Sequence, residues 1–389
     1  PFEIKRHELA GIINTHLWQA VNDLVDSNLS NLAGHSFFDS TSPLDDYYFS
    51  DWKSSILDTV LNANLSVVIP NIELKNFVES MKSRTLLDSG DLVPFMGNLG
   101  GKTYKNLVQS AINVVKEARG SSTTEWVGIH ENWTIEMFPA LAKAFKESKF
   151  IICLRDPRAV MASHLNAPPD LHAHILSYIR GIRKLFNLTS YFLKLPIFKD
   201  RLFVVTYEHI MRHPKFTAEK LCRFFNVTFE SQMIDPDKHF DRSTGGEWSG
   251  LSSFEKKVSG YNPARIDRWR RHLDPKILEL MEVCLDPDMR HFGYMPTEDR
   301  LNSVVSDDPF KVLVEDNDGY KVWRTDTGTP EIEYDLEMAR REVIRLEDEL
   351  SDRQIIRQYF LKEEVYRSIL DETPVYEGDI GAKGGIWNV

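Results

Sequence analysis

The sequence predicts an α/β protein in which a parallel sheet is flanked by helices, followed by a mostly helical, acidic C-terminal extension. Short apolar runs such as KFIICL and RLFVVTY are typical of strands, and amphipathic stretches between them are typical of helices. Strands that alternate with helices indicate a parallel sheet covered on both faces. Because the pattern changes beyond Pro296, we expect a domain at 1–300 and the extension at 301–389.

The predicted elements follow one another along the chain. Residues 1–90 are expected to be mainly helical, a helix is expected at 103–118, and the strand WVGIH follows a Gly/Ser-rich break. A helix at 134–146 leads into the strand KFIICL. A helix through Met161 and more helix from His172 to Leu193 follow, and RLFVVTY is the next strand. Ligands of such sheets bind at the carboxyl ends of the strands, so the residues after KFIICL are candidates for a site.

The net charge of −11 is concentrated in the C-terminal extension. Residues 301–389 hold 11 Lys/Arg and 21 Asp/Glu, whereas residues 1–300 hold 36 and 37. A nucleic-acid-binding protein would show a basic surplus, so nucleic acid is not an expected partner. The helix predicted in the extension carries a heptad-like apolar stripe at 332–350, which can pack against the protein's own body or against a partner protein.

Cysteine and asparagine usage point to different compartments. The three cysteines lie far apart without metal-ligand spacing, so we expect core thiols and no metal site. Few cysteines are compatible with the cytoplasm, whereas an excess of Asn-x-Ser/Thr sequences favours a glycoprotein of the secretory lumen. These sequences begin at Asn28, Asn64, Asn132, Asn187 and Asn226. No apolar run approaches the length of about 18 residues that spans a membrane.

The segment FIICLRDPRAVMASH places an arginine at the end of a predicted strand and a serine eight residues later, in the next helix. Arg155 offers a planar fork of donors, Ser163 offers a hydroxyl, and a helix start favours negative charge. These groups suit a phosphate. The alternative is that Arg155 and Arg158 form salt bridges with Asp156 or another carboxylate.

KFIICLRDPRAVMAS resembles the segment with which sulfotransferases hold the 3′-phosphate of their donor, 3′-phosphoadenosine 5′-phosphosulfate. In those enzymes an arginine at the strand end and a serine eight residues later grip this phosphate, and they correspond to Arg155 and Ser163. Three further segments follow in the order of the family: VVTYEHIMRHP, then STGGEWSGLSSF with ARIDRWRRHLDP, then HFGY. The similarity extends over residues 126–294 and implies the P-loop-like sulfotransferase fold.

The resemblance implies further donor-binding residues. Tyr207 corresponds to a tyrosine near the adenine or phosphate, and Arg158 lies within the phosphate-binding segment. The late basic cluster, which includes Arg268 and Arg270, suits a doubly phosphorylated, sulfated nucleotide, although a basic cluster is also typical of an exposed helical face.

The resemblance also places the catalytic base at the end of the strand WVGIH. His130 can accept a proton near neutral pH, and Glu131 is the alternative because carbohydrate-type members often use a carboxylate. The lysine that the family commonly has nearby does not occur here. No metal is required by this chemistry, since positioning and fixed positive charge suffice.

The loop that binds the donor's 5′-phosphosulfate has no clear counterpart. FMGNLGGKTYKN, at 95–106, is the one segment similar to a phosphate loop, but Met96 replaces its first glycine. Three alternatives stay open: a loop upstream of Pro1, Lys102 and Thr103 as a substitute, or a catalytically degenerate scaffold of a larger assembly. A P-loop kinase or hydrolase fits less well, because the spacing differs and an Asp-ended strand for Mg²⁺ is not evident.

The expected activity is therefore transfer of a sulfuryl group from 3′-phosphoadenosine 5′-phosphosulfate to a hydroxyl or amine, with 3′-phosphoadenosine 5′-phosphate as product. The expected partners are the nucleotide donor and a carbohydrate or small-molecule acceptor, with the helix at 332–350 as the place for a protein partner. The resemblance covers a carbohydrate (Golgi) type and a bacterial type, and the secretory or Golgi lumen is the favoured compartment, with the cytoplasm as the alternative.

Overall fold

The computed structural model describes part of the chain, and the described residues form two compact units at 61–148 and 149–297. The described ranges are 61–72, 74–76, 78–79, 82, 90–120, 123–128, 135–166, 175–235, 254 and 260–297. The predictions for residues 1–60, for the catalytic pair His130 and Glu131, and for the acidic extension 301–389 with its stripe at 332–350 lie outside the described residues.

The first unit, at 61–148, is helical. A 3₁₀ segment spans Gly90–Asn98, helix α1 spans Tyr104–Arg119, and a 3₁₀ turn at Ile135–Met137 leads into helix α2, Phe138–Ala144. These helices confirm the two predicted at 103–118 and 134–146. Helix α1 buries one side, formed by Leu107, Val108, Ala111 and Val114.

The strand WVGIH is not confirmed in the part that the structure describes. Residues 126–128 have no regular secondary structure, and Trp126 is 39% exposed. An apolar run becomes a strand only against a hydrogen-bonded neighbour, which the local sequence does not supply. The prediction was therefore wrong for these residues.

The second unit, at 149–297, is built on a pair of parallel strands. Strand β1, Phe150–Leu154, pairs with strand β2, Leu202–Thr206, in the register Phe150 to Leu202 through Leu154 to Thr206. Both strands confirm the sequence prediction. The helices of this unit are α3 (Pro157–Leu165), α4 (Ile175–Lys194), α5 (Tyr207–Arg212), α6 (Pro214–Phe225) and α7 (Pro275–His291), with 3₁₀ segments at Pro196–Phe198, Ser231–Ile234 and Pro263–Arg271.

The two strands differ in burial. Strand β2 is buried along its whole length, whereas β1 alternates between buried and exposed residues. Cys153 lies on the exposed face of β1, so the expectation that it is a core thiol was wrong. Successive residues of a strand point to opposite faces, and this face of β1 is open. Cys222 and Cys284 are buried, as expected.

Aromatic packing brings the HFGY segment back onto α4. The ring of Phe186 lies 5.1 Å from that of Phe292 and stacks on Tyr294 at 6.1 Å between ring centroids. All three side chains are buried. The segment after α7 is thereby fixed beside the ends of β1 and β2. Within the described residues, no helix is both long and apolar enough for a membrane span.

Candidate functional site

Strands β1 and β2 end side by side, and each is followed directly by a residue of the predicted site. Because Leu154 pairs with Thr206, Arg155 and Tyr207 are the next residues on two adjacent parallel strands. The Arg155 guanidinium carbon lies 4.4 Å from the centroid of the Tyr207 ring, which is a cation–π contact. Two residues that the sequence singled out separately are thus in contact.

Arg155 has a buried hydrogen-bond donor for which the described part of the chain supplies no acceptor. Its Nε is buried and has no hydrogen-bond partner, while the side chain as a whole is half-buried. Within the described residues no carboxylate pairs with this guanidinium, and its interaction is the stack on Tyr207. A buried donor left without an acceptor costs about 1–3 kcal/mol, and an anionic ligand would remove that cost.

Arg158, three residues further, is engaged by the protein itself. Its Nε and one terminal nitrogen donate to Asp156 at 2.9 and 2.8 Å, and the other terminal nitrogen donates to Glu282 at 2.8 Å and to the Met295 carbonyl at 3.0 Å. Burial opposes its charge, but the hydrogen bonds and charges of both carboxylates outweigh burial and raise the pKa of Arg158. The salt-bridge alternative thus describes Arg158. Donor binding by Arg158 stays a prediction, which these contacts disfavour.

Ser163 is the seventh residue of α3, the helix that starts just after Arg155. The helix is capped by Asp156, whose side chain accepts a hydrogen bond from the Arg158 amide at 2.9 Å. Ser163 is half-buried. The predicted order of strand end, helix start and serine is therefore present, and the role of Ser163 in binding stays a prediction.

The segment containing Lys102 and Thr103 serves the start of α1. The Thr103 hydroxyl accepts a hydrogen bond from the Asn106 amide at 3.2 Å and lies 2.8 Å from the Asn106 side-chain oxygen. Gly101 has φ 145°, and a Cβ added there would lie 2.4 Å from the Asn106 Cβ. Helix capping and close packing account for these residues. Lys102 is exposed, and its use as a phosphate ligand stays a prediction.

Arg268 and Arg270 lie in the 3₁₀ segment Pro263–Arg271. The Arg268 guanidinium carbon lies 5.2 Å from the Phe254 ring centroid. Arg270 is exposed, pairs with Asp267 at 3.4 Å and lies 4.5 Å from the ring centroid of Trp269. Exposure fits the alternative of a solvated helical face for Arg270, and donor binding by either arginine stays a prediction.

Glu208 is a residue of this region to which the sequence analysis assigned no role. It accepts hydrogen bonds from the Asp156 amide at 3.0 Å and from the Tyr294 hydroxyl at 2.9 Å. Burial raises the pKa of Glu208 above its ordinary value and raises that of Tyr294 well above its own. The sequence signal was a glutamate directly after the strand-end tyrosine, in TYEH. Among the described residues, no group of three or more His, Cys, Asp or Glu could hold a metal ion.

Comparison with known proteins matches residues 81–231 to the family model described as the sulfotransferase family. Protein-tyrosine sulfotransferase 2 of Gallus gallus is 22% identical over 202 residues, which cover 51% of this chain and 53% of the relative. Carbohydrate sulfotransferase 3 of Homo sapiens is 25% identical over 240 residues, covering 56% of this chain and 49% of the relative. The chain therefore spans about half the length of the curated relatives it matches.

A solved structure, the sulfotransferase domain from the curacin biosynthetic pathway, matches with a TM-score of 0.33 and 15% identity, covering 59% of this chain and 83% of that domain. The family match and the curated relatives confirm the sulfotransferase resemblance that KFIICLRDPRAVMAS predicts.

Proposed function

We propose that this chain, which carries a segment of the sulfotransferase family at residues 81–231, transfers a sulfuryl group from 3′-phosphoadenosine 5′-phosphosulfate to a hydroxyl or amine. The observation that supports this most directly is the environment of Arg155. A guanidinium stands at the carboxyl end of β1, stacks on Tyr207, and has a buried Nε without an acceptor. Parallel sheets bind ligands at this edge, and a guanidinium that pairs with no carboxylate among the described residues attracts an anion.

The residues present fit the 3′-phosphate of the donor. Arg155 would hold this phosphate, because its Nε lacks the acceptor that a phosphate oxygen supplies. Ser163, on the helix that starts beside Arg155, would add a hydroxyl donor, and Tyr207 would support the nucleotide. When bound, the donor supplies the sulfuryl group and the phosphate that leaves.

The other residues predicted from the sequence complete the proposal. His130 or Glu131 takes the proton of the acceptor hydroxyl, which makes the oxygen a better nucleophile. Lys102, Arg268 and Arg270 stay in the proposal as donor-binding residues, each offering a fixed positive charge to the nucleotide.

The proposed acceptor carries a hydroxyl. The curated relatives are named for protein tyrosine and for carbohydrate, and both of these acceptors present a hydroxyl. We therefore favour a hydroxyl over an amine. A glycoprotein acting in the Golgi lumen stays the corresponding proposal for localisation.

A catalytically degenerate scaffold is the second candidate, and one observation favours it. In the phosphate-loop-like segment, Thr103 caps helix α1 and Gly101 packs closely against it, and neither role needs a phosphate. Such a protein would bind the nucleotide at Arg155 and yet transfer nothing.

Equilibrium binding of 3′-phosphoadenosine 5′-phosphate to the full chain tests the proposal. Arg155→Ala should weaken binding by roughly 10- to 150-fold, the equivalent of about 1.5–3 kcal/mol for a lost charged hydrogen bond. Arg223→Ala, at an exposed arginine of α6, is the matched control and should bind like the wild type. Absence of binding by the wild type, or equal affinity of Arg155→Ala, contradicts the donor site.

Transfer of labelled sulfate to a panel of tyrosine peptides and glycans separates the two candidates. Product formation excludes the scaffold. Binding that depends on Arg155 without any transfer across the panel, with the donor intact, supports the scaffold over the enzyme.

A further inference from the structure

We propose that Glu208 is a positioning residue of the 3′-phosphate site, which acts through Arg155 by fixing the peptide that follows it. The inference rests on the proposed function, because it assigns to Arg155 the task of holding the phosphate. Glu208 accepts hydrogen bonds from the Asp156 amide and from the Tyr294 hydroxyl.

The hydrogen bond from Asp156 to Glu208 continues the contact between the two strands past their last paired residues. The ladder ends at the pair Leu154–Thr206, and beyond it the Asp156 amide donates to the Glu208 carboxylate at 3.0 Å. Arg155 therefore has a fixed neighbour on each side: a ladder residue before it and an anchored amide after it. Fixing both flanking peptides fixes the direction in which its side chain leaves the backbone.

Glu208 is itself held from the opposite side. Its second oxygen accepts the Tyr294 hydroxyl at 2.9 Å, and the Tyr294 ring stacks on Phe186 of α4. Glu208 and Tyr294 are each 3% exposed. Each carboxylate oxygen thus accepts a hydrogen bond from a protein donor, and the side chain is held in place from two sides.

The same two hydrogen bonds keep the carboxylate away from the guanidinium. Arg155 stacks on Tyr207, the residue next to Glu208, yet within the described residues the two side chains form no ion pair. A carboxylate that paired with Arg155 would occupy the donors that a phosphate needs. By binding Asp156 and Tyr294 instead, Glu208 leaves the guanidinium available to an anion.

The test compares two nucleotides that differ by one group. 3′-Phosphoadenosine 5′-phosphate carries the 3′-phosphate, and adenosine 5′-phosphate lacks it. The dissociation constant of adenosine 5′-phosphate divided by that of 3′-phosphoadenosine 5′-phosphate therefore measures the contribution of the 3′-phosphate, and this quotient is called the ratio below. Binding is measured by calorimetry on the full-length wild type and on Arg155→Ala, Glu208→Ala, Glu208→Gln and the double variant Arg155→Ala/Glu208→Ala. Glu219→Ala, at a solvent-facing glutamate of α6, is the matched control.

Glu208→Ala should reduce the ratio about tenfold, because the Asp156 amide loses its acceptor. Glu208→Gln should recover most of the ratio, since an amide oxygen still accepts that hydrogen bond. The double variant should match Arg155→Ala, because Glu208 acts through Arg155. Glu219→Ala should leave the ratio unchanged.

Each alternative result has one meaning. If Arg155→Ala lowers the ratio and Glu208→Ala does not, the inference is wrong and the proposed function stands. A double variant that loses more than Arg155→Ala shows that Glu208 acts independently, which also overturns the inference. A wild type that does not distinguish the two nucleotides overturns the proposed function and this inference together. If Glu208→Ala does not fold, Tyr294→Phe removes one anchor of the carboxylate and should lower the ratio in the same direction, and an unchanged ratio there refutes the inference.

Discussion

Replacing Arg158 by methionine should strongly destabilise the unit that contains β1 and β2. The guanidinium is 5% exposed and sits against Asp156 and Glu282, which are 7% and 1% exposed. Methionine fills a similar volume but removes the cation that binds both buried carboxylates. Removing one partner of a buried ion pair costs about 3–5 kcal/mol.

The remaining hydrogen bonds place the expected loss near the lower end of that range. Glu282 still accepts from the Thr297 amide and hydroxyl, at 3.1–3.2 Å, and Asp156 still caps α3. We therefore expect a loss of about 3 kcal/mol in the free energy of unfolding. For a domain of this size this corresponds to a fall of roughly 6–12 °C in the unfolding midpoint.

Urea and thermal unfolding of the intact chain measure this loss, with Arg155→Met as the matched control. Arg155 gives up its stack on Tyr207, worth about 0.5–2 kcal/mol, but its removal also removes a buried donor without an acceptor. The control should therefore stay within about 1 kcal/mol of the wild type. A loss below about 1 kcal/mol for Arg158→Met, or equal losses for both variants, would refute this division of roles.

Three further predictions concern other parts of the chain. Gly101→Ala should cost about 1–3 kcal/mol in urea denaturation, because its Cβ would lie 2.4 Å from a side chain of α1, whereas Gly97→Ala meets nothing within 4 Å and should be neutral. Burial, and then the charges of a neighbouring histidine and arginine, lower the pKa of His209 below its ordinary value of 6.5. As the pH falls below 6.5, His209 takes up a proton in the unfolded chain before it does so in the folded chain. The free energy of unfolding should therefore fall by at most about 1.4 kcal/mol per pH unit for this group. His209→Gln should lack this part of the dependence of stability on pH, and an unchanged dependence contradicts the assignment. In a secretory host, exposed Asn226 should carry a glycan and buried Asn187 should not, and peptide mass spectrometry with the reverse pattern would exclude this reading.

The elements that could be predicted from the sequence are those that depend on neighbouring residues. The apolar runs predicted β1 and β2, and the helix predicted at 103–118 corresponds to α1. The strand WVGIH was wrong in its described part, and the interior position of Cys153 was wrong, because both depend on what packs against a strand. The apolar content of a segment indicates that the segment tends to be buried, but it does not indicate which face of a strand other elements cover.

The order of strand end, arginine, helix start and serine could be predicted from one short segment of the sequence. This is because strand ends and helix caps depend on residues only a few positions apart. Only the folded structure decides which of the two arginines, Arg155 or Arg158, forms ion pairs with buried carboxylates. Arg158 hydrogen-bonds to Glu282, which lies 124 positions away in the sequence, and Tyr294 hydrogen-bonds to Glu208, which lies 86 positions away. The packing of the HFGY segment, which follows α7, against α4 brings these partners together. The charge of Arg158 is thereby balanced by carboxylates, whereas the buried Nε of Arg155 has no acceptor within the described residues.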